Sequence, residues 1–288
     1  MGNTSSNSKA DNGDQLDQKI VEALESNQIE LFKELVNQNV SSKEHMRIKA
    51  GQSYPYLATI YGHPEALEWL INTFDCNPNG ADDTGKTLLH FAANEGCLET
   101  LTYLIDKAKS KVEAIDSEGF SPFLYAVYGG QLPCVKYIAA RMNQKVVPVQ
   151  ALKDGRTSIH LCAQEGHVAV LKWLVDNYPS TQTERIEKIE GMTPFHLAAR
   201  FGHATVLDFL LRHCSVDPNV LDTNGKNALH HATRNGYIDA VKYLVEQVCL
   251  DPYAVDHSGR SSIEYAAMSS SREVSKFLSQ FETSRDLI

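Results

Sequence analysis

The 288-residue chain has no apolar run that approaches 18 residues, which excludes a helix that spans a membrane. Its first 19 residues are polar, so no cleavable secretory signal is expected there. Positive charge is also scarce, because the chain has 27 Lys and Arg residues against 36 Asp and Glu residues. The resulting net charge of −9 argues against a nucleic-acid backbone as the main partner.

The six cysteines lack the spacing that metal chemistry needs, since they contain no C-x-x-C pair and no finger-like cluster. Reduced thiols of this kind are typical of the interior of a cell, and we therefore expect a cytoplasmic protein. No metal, cofactor or small-molecule substrate is predicted.

Glycine, by contrast, recurs at a regular interval. Seven times a glycine is followed 11 residues later by a second glycine or, once, by serine. The pairs are Gly51/Gly62, Gly85/Gly96, Gly119/Gly130, Gly155/Gly166, Gly191/Gly202, Gly225/Gly236 and Gly259/Ser270. Their first members lie 34, 34, 36, 36, 34 and 34 residues apart, which means that one supersecondary unit is copied along the chain. Repeat arrays form extended binding surfaces and seldom carry catalytic sites.

Within each period the same residue types occupy the same places. Segment 191–203 reads G-M-T-P-F-H-L-A-A-R-F-G-H, and segment 85–96 reads G-K-T-L-L-H-F-A-A-N-E-G. Polar residues before the first glycine suit a tight turn with a positive φ. A short helix with small residues follows, and a second helix with i, i+3, i+4 apolar spacing comes after the second glycine. No such unit buries its apolar face alone, so the units are expected to stack.

This pattern resembles the ankyrin repeat, whose signature is T-P-L-H-x-A at a period of about 33 residues. The resemblance covers about residues 16–281 and implies an all-α solenoid of stacked helix-turn-helix units with β-hairpin-like turn tips. We predict a disordered N-terminal tail at 1–15, the solenoid at 16–283 and a C-terminal tail at 284–288. Within the solenoid we expect a capping helix pair at 16–40, with Asn27 in place of the glycine, and seven repeats at about 48–81, 82–115, 116–151, 152–187, 188–221, 222–255 and 256–281.

One segment matches a phosphate-binding motif. Residues 80–87, G-A-D-D-T-G-K-T, fit G-x-x-x-x-G-K-[ST]. A phosphate loop should follow a buried apolar strand, whereas D-C-N-P-N precedes this segment, and Asp82 and Asp83 would repel a triphosphate. We interpret the match as the repeat turn and predict that the protein is not an enzyme.

Seven of the eleven histidines follow the period. One repeat position holds His90, His160, His196 and His230, and another holds His63, His167 and His203. We expect these imidazoles to pin each turn to its neighbour by hydrogen bonds. The other four, His45, His213, His231 and His257, have no metal-ligand spacing. No catalytic or metal-binding histidine is therefore predicted.

The N-terminus, M-G-N-T-S-S, fits the pattern M-G-x-x-x-[ST] and predicts myristoylation of Gly2. The alternative is a plain disordered tail that begins with glycine. One myristoyl chain gives only marginal, reversible membrane binding, and the tail offers no cysteine and only Lys9 as a base. We expect transient residence at the cytoplasmic face of a membrane, or a second anchor that a partner supplies.

The resemblance implies that partners bind in a concave groove formed by turn tips and inner helices. Carried over repeat by repeat, the predicted contact residues are Tyr61, Lys86, Phe120, Tyr128, Arg156, Met192, Arg200, Phe201, Lys226, Arg234 and Arg260. The bulky apolar members are expected anchors, and the cations of repeats four to seven predict an acidic segment in the partner. We therefore expect a monomer that binds a protein or extended peptide with apolar and acidic segments.

The sequence thus predicts a non-catalytic scaffold or adaptor, tethered to a membrane through myristate. The alternative is a regulatory or substrate-recruiting subunit of an enzyme complex that is soluble and not membrane-tethered. Both functions share the fold and differ in the partner.

Overall fold

The computed structural model describes residues 5–39, 52–142, 152–178, 190–269 and 271–285. The chain divides into two compact units, which we call unit 1 (Met1–Met142) and unit 2 (Asn143–Ile288). The predicted modification site Gly2 lies outside the described residues, as do Gly51, Ser270 and the last three residues of the chain.

The described residues of unit 1 form four helix pairs. These are α1 (Ser5–Glu25) with α2 (Ile29–Asn39), α3 (Tyr54–Ile60) with α4 (Pro64–Phe74), α5 (Leu88–Glu95) with α6 (Leu98–Asp106), and α7 (Pro122–Tyr128) with α8 (Leu132–Ala139). First helices pack on first helices, as α5 does on α3 and α7, and second helices on second helices, as α6 does on α4 and α8.

Unit 2 repeats the arrangement. Its pairs are α9 (Ser158–Glu165) with α10 (Val168–Asn177), α11 (Pro194–Arg200) with α12 (Ala204–His213), α13 (Ala228–Arg234) with α14 (Ile238–Lys242), and α15 (Ser262–Met268) with α16 (Arg272–Arg285). A π-helical turn, Tyr243–Gln247, continues α14. First helices α9, α11, α13 and α15 pack in sequence, as do second helices α10, α12, α14 and α16. The prediction of an all-α fold of stacked helix-turn-helix units is therefore confirmed within each unit.

Small residues on the first helices allow this close stacking. Ala92 and Ala93 of α5, and Ala198 and Ala199 of α11, are completely buried. The second helices supply the larger core side chains, such as Leu101 on α6, which is also inaccessible to water. Removal of this apolar surface from water stabilises the stack, because no helix pair has a core of its own.

An aspartate three residues before the turn glycine shapes each regular hairpin. The Asp116 Oδ1 accepts the backbone N–H groups of Glu118 at 3.0 Å and Phe120 at 2.8 Å. The equivalent carboxylates of Asp82, Asp222 and Asp256 accept the same pair of N–H groups. Among the described residues, the β-like character of the predicted tips consists of two isolated bridges, Ala81 with Thr87 and Val255 with Ser261.

The periodic histidines hold the hairpins in place. The His196 Nδ1 accepts the backbone N–H of Thr193 at 3.2 Å, and its Nε2 donates to the carbonyl oxygen of Val220, 2.9 Å away on the segment that leads into the next hairpin. His90 and His230 bond in the same way, through their Nε2 atoms, to Phe120 and Ala254. The prediction that these imidazoles pin neighbouring turns is confirmed at these three positions.

The N-terminal end differs from the prediction. Helix α1 begins at Ser5, within the segment 1–15 for which the sequence predicted a disordered tail. The buried side chains Ile20 and Leu24 anchor the helix, and no proline interrupts its extension toward the N-terminus. The expected exchange of glycine for Asn27 is confirmed, because Asn27 has a φ of 54°, a left-handed conformation that asparagine tolerates.

Candidate functional site

In each unit the hairpin turns and the C-terminal ends of the first helices form one surface, which we call the turn face. In unit 2 a single cavity shows the arrangement, since it is lined both by Asn224 and Lys226 of a hairpin and by Arg234 at the end of α13. All eleven predicted contact residues lie on this surface or directly beneath it.

An aromatic cluster occupies the turn face of unit 1. The Phe120 ring lies 4.9 Å, centroid to centroid, from Tyr125 and 6.2 Å from Tyr128. The Lys86 ammonium lies over the Tyr125 ring, 5.3 Å from its centroid. Phe120 and Lys86 are half-buried and contact the Tyr125 ring within the protein, whereas Tyr128 keeps 38% of its surface exposed. Tyr128 is therefore the most exposed side chain of this cluster.

Tyr61 borders the same face nearer the N-terminus, where its hydroxyl donates to the Glu25 carboxylate at 3.0 Å. A cleft of about 610 Å³ in the same unit does not include Tyr61 and is lined by the edge-packed rings of Tyr56 and Phe91 and by Asp82 and Asp83. The predicted contact residue Tyr61 is thus half-buried, and its hydroxyl is held by the hydrogen bond to Glu25.

The segment that matched the phosphate-binding motif forms the repeat turn. The Asp82 carboxylate accepts the N–H groups of Thr84 and Lys86, both at 2.9 Å, which are groups that a phosphate would need. Burial alone would raise the pKa of Asp82, but these bonds and the Thr84 hydroxyl hold that pKa below its usual range. Its carboxylate therefore remains ionised and the turn is closed without a ligand.

Two of the predicted cations of unit 2 are neutralised within the fold. The Arg156 Nε donates to the Asp154 carboxylate at 2.7 Å, and its Nη1 donates to the Gln164 side chain at 2.7 Å. The Arg200 Nη1 forms an ion pair with Glu190. These two guanidinium groups are less available to an acidic partner than their sequence positions predict.

Met192 is buried, whereas the sequence predicted an exposed apolar side chain at this position. Only 6% of its surface is exposed, because its Sδ lies 3.5 Å from the Arg200 Nη1 and the side chain packs beneath it. Burial of an apolar thioether beneath an ion-paired arginine removes apolar surface from water. Phe201, which follows Arg200 in sequence, is 38% exposed and presents its ring on the turn face of unit 2.

The remaining predicted cations are Lys226, Arg234 and Arg260. The Lys226 ammonium lies 5.5 Å from the centroid of the Tyr265 ring, as Lys86 lies over Tyr125. Arg234 and Arg260 are exposed at the end of α13 and in the last hairpin. The turn face of unit 2 therefore combines an exposed phenylalanine with accessible positive charge.

Sequence reasoning left His231 without a role, and the structure provides one. Its Nε2 lies 3.0 Å from the Asp222 Oδ2, and both side chains are buried. Tyr125 and Tyr265 donate to Asp116 and Asp256 in the same way, nine residues after each aspartate. A hydrogen-bonding side chain nine residues after the turn aspartate was the sequence pattern that could have predicted the role of His231. Burial alone would raise the pKa of Asp222, but the bonds from His231 and from the turn N–H groups lower it to about 2.

Three exposed apolar residues were also missed: Ile115, Leu221 and Val255. Each directly precedes a turn aspartate, and more than half of each is accessible to water. The recurrence of an apolar residue directly before the turn aspartate could have predicted that the turn face also exposes aliphatic side chains.

Acid is expected to destabilise unit 2 through His196. Burial, with the neighbouring His231 as a second cause, lowers the pKa of His196 from 6.5 to about 4. Between these pH values His196 is protonated in the unfolded state but neutral in the folded state. Its contribution to the free energy of unfolding is therefore full above about pH 6.5 and decreases toward pH 4. Urea denaturation should show about 2 kcal/mol more loss between pH 7.5 and pH 5 in the wild type than in His196→Gln. Equal losses would contradict this assignment.

No helix among the described residues is long and apolar enough to cross a membrane.

Comparison with known proteins identifies the repeat. A family described as ankyrin repeats (3 copies) matches residues 20–116, 56–151, 108–185, 180–252 and 195–285. The nuclear factor NF-kappa-B p105 subunit of Gallus gallus is 32% identical over 141 residues, which are 48% of this chain and 14% of that protein. An ankyrin repeat-containing protein of Schizosaccharomyces pombe is 28% identical over 116 residues, which are 40% of this chain and 49% of that protein. The chain thus spans less than two thirds of either relative.

Among solved structures, the ankyrin repeat domain of human ASB11 has a similar fold. The TM-score is 0.63 at 21% sequence identity, and the match covers 79% of this chain and 97% of that domain. At this identity the similarity concerns the fold alone.

Proposed function

This chain belongs to the ankyrin-repeat family, whose repeats are protein–protein interaction modules, and from that premise we propose that it is a non-catalytic scaffold or adaptor. Its partner is a protein or extended peptide that binds on the turn face. On the turn face of unit 1 an apolar residue of the partner contacts Tyr128. On the turn face of unit 2 an apolar residue contacts Phe201, and acidic residues contact the cations. The protein acts as a monomer in the cytoplasm.

The observation that carries this proposal is the exposure of large aromatic side chains at the ends of first helices. Tyr128 and Phe201 each keep 38% of their surface accessible, although every neighbouring first-helix alanine is buried. Exposed aromatic side chains beside polar groups are the residues that most often dominate binding energy at protein interfaces. The turns supply the polar rim around them.

Affinity capture from cells tests the proposal with three variants of the full chain. Tyr128→Ala and Phe201→Ala should each reduce recovery of the partner at least tenfold, since an anchor residue contributes 2 kcal/mol or more. Leu31→Ala is the matched control, because Leu31 is 41% exposed but lies on the second helix α2. Its recovery should be unchanged. Equal recovery by all three variants would reject the turn face, provided that circular dichroism shows intact folds.

We further propose that Gly2 carries a myristoyl chain that gives transient attachment to a membrane. The support is the N-terminal sequence pattern. Metabolic labelling with an alkyne analogue of myristate should mark the wild type and leave Gly2→Ala unmarked. A wild type that takes up no label would reject the tether and favour the soluble regulatory subunit.

A further inference from the structure

A small polar cavity of about 220 Å³ opens on the turn face of unit 2. We call it the cationic pocket, defined by Arg200, Lys226, Arg234, Asn224 and Asn235, with Glu190, Asp222 and His231 completing its wall. Pockets that hold drug-sized molecules measure about 300–1,000 Å³, so this one suits a single side chain of a partner.

The two carboxylates of the pocket are already engaged by the fold. Glu190 pairs with Arg200. The Asp222 carboxylate accepts the N–H groups of Asn224 and Lys226, each at 2.8 Å, and is bonded to His231 at 3.0 Å. Both carboxylates are held by other groups of the fold, and the three cations that line the pocket outnumber them.

Lys226 and Arg234 supply the excess positive charge. Within the part of the chain that the structure describes, neither side chain has a carboxylate at ion-pair distance. The Lys226 ammonium faces the Tyr265 ring, which holds the side chain in place but leaves its N–H donors unused by that contact. A positively charged cavity with amide groups at its rim is electrostatically complementary to an anion.

We propose that the cationic pocket accepts the carboxylate of a glutamate or aspartate side chain from an acidic segment of the protein partner. Arg234 offers the guanidinium fork that matches a carboxylate, and Lys226 offers a second charged donor. In this proposal an apolar residue beside the acidic one contacts the exposed ring of Phe201, the residue that follows Arg200 in sequence. This inference rests on the proposed function, because it assigns the partner chemistry of the same face.

Selection from a displayed library of random peptides tests the pocket directly. Peptides enriched on the full-length wild type should contain glutamate or aspartate next to an apolar residue. For one enriched peptide made synthetically, replacement of its acidic residue by glutamine should weaken binding about tenfold or more. Arg234→Gln and Lys226→Gln should each produce a loss of similar size, whereas Arg212→Gln, on the second helix α12, should produce none. Thermal unfolding of each variant verifies its fold.

The outcomes separate the pocket from the binding face. Peptides that bind and require Phe201, yet lack an acidic preference or ignore Arg234→Gln and Lys226→Gln, overturn the pocket and leave the proposed function standing. No enrichment on the wild type counts against both. A peptide with phosphoserine in place of the acidic residue that binds at least tenfold more tightly would overturn the carboxylate as the preferred anion.

Discussion

Replacement of Leu210 by alanine is expected to lower the free energy of unfolding of unit 2 by about 2–5 kcal/mol. Leu210 has no exposed surface, and it lies on α12, which packs against α10, α11 and α14. The substitution removes apolar atoms and leaves a cavity that the surrounding helices fill only in part. Urea denaturation, followed by circular dichroism, should show the transition at a lower denaturant concentration.

Leu211 provides a matched control, since it is the next residue on the same helix and is half-exposed. Leu211→Ala should cost less than about 1 kcal/mol. Because each repeat contacts only its neighbours, faster hydrogen exchange in Leu210→Ala should be concentrated in α10, α11, α12 and α14. Equal losses of stability in the two variants would contradict the assignment of the core.

Gly85→Ala is expected to destabilise unit 1 by about 2–3 kcal/mol, for two reasons that add. Gly85 has a φ of 85°, a left-handed conformation that costs an alanine about 1 kcal/mol. A Cβ atom there would also lie 3.2 Å from the Asp116 Cα and 3.3 Å from the Ser117 backbone nitrogen. Backbone atoms of the next hairpin yield less readily than a flexible side chain. Urea denaturation measures the loss.

Gly259 separates the two causes. It occupies the same place in the last hairpin, with a φ of 76°, but a Cβ there would meet nothing within 4 Å. Gly259→Ala should therefore cost only about 1 kcal/mol, the conformational part alone. If the two variants lost the same free energy, close approach of neighbouring hairpins would not contribute to stability.

The repeat period made most of the fold predictable. It gave the turn glycines, the paired helices, the pinning histidines and Asn27 as a substitute for glycine, because each of these follows from a position that recurs. The start of α1 at Ser5 was not predictable in this way. That segment has no repeated counterpart, and the apolar side chains that anchor the helix lie further along it.

The candidate site was less predictable than the fold, because exposure depends on neighbours that the period does not specify. Phe201 and Met192 occupy sequence positions that both predict an anchor, yet only Phe201 is exposed. Burial of Met192 depends on where Arg200 places its side chain, and that in turn depends on Glu190. Ion pairs across a turn therefore determine which of the repeated Lys and Arg side chains remain available to a partner.

Light-induced crosslinking from the turn face tests partner binding most directly. The photoreactive amino acid p-benzoylphenylalanine would replace Phe201, Tyr128 or Arg212 in the full chain within cells. Positions 128 and 201 lie on the turn face, whereas Arg212 lies on α12, a second helix, with 70% of its side chain exposed. We predict crosslinked partner protein from positions 128 and 201 and none from position 212. Crosslinks from position 212 alone would contradict binding at the turn face.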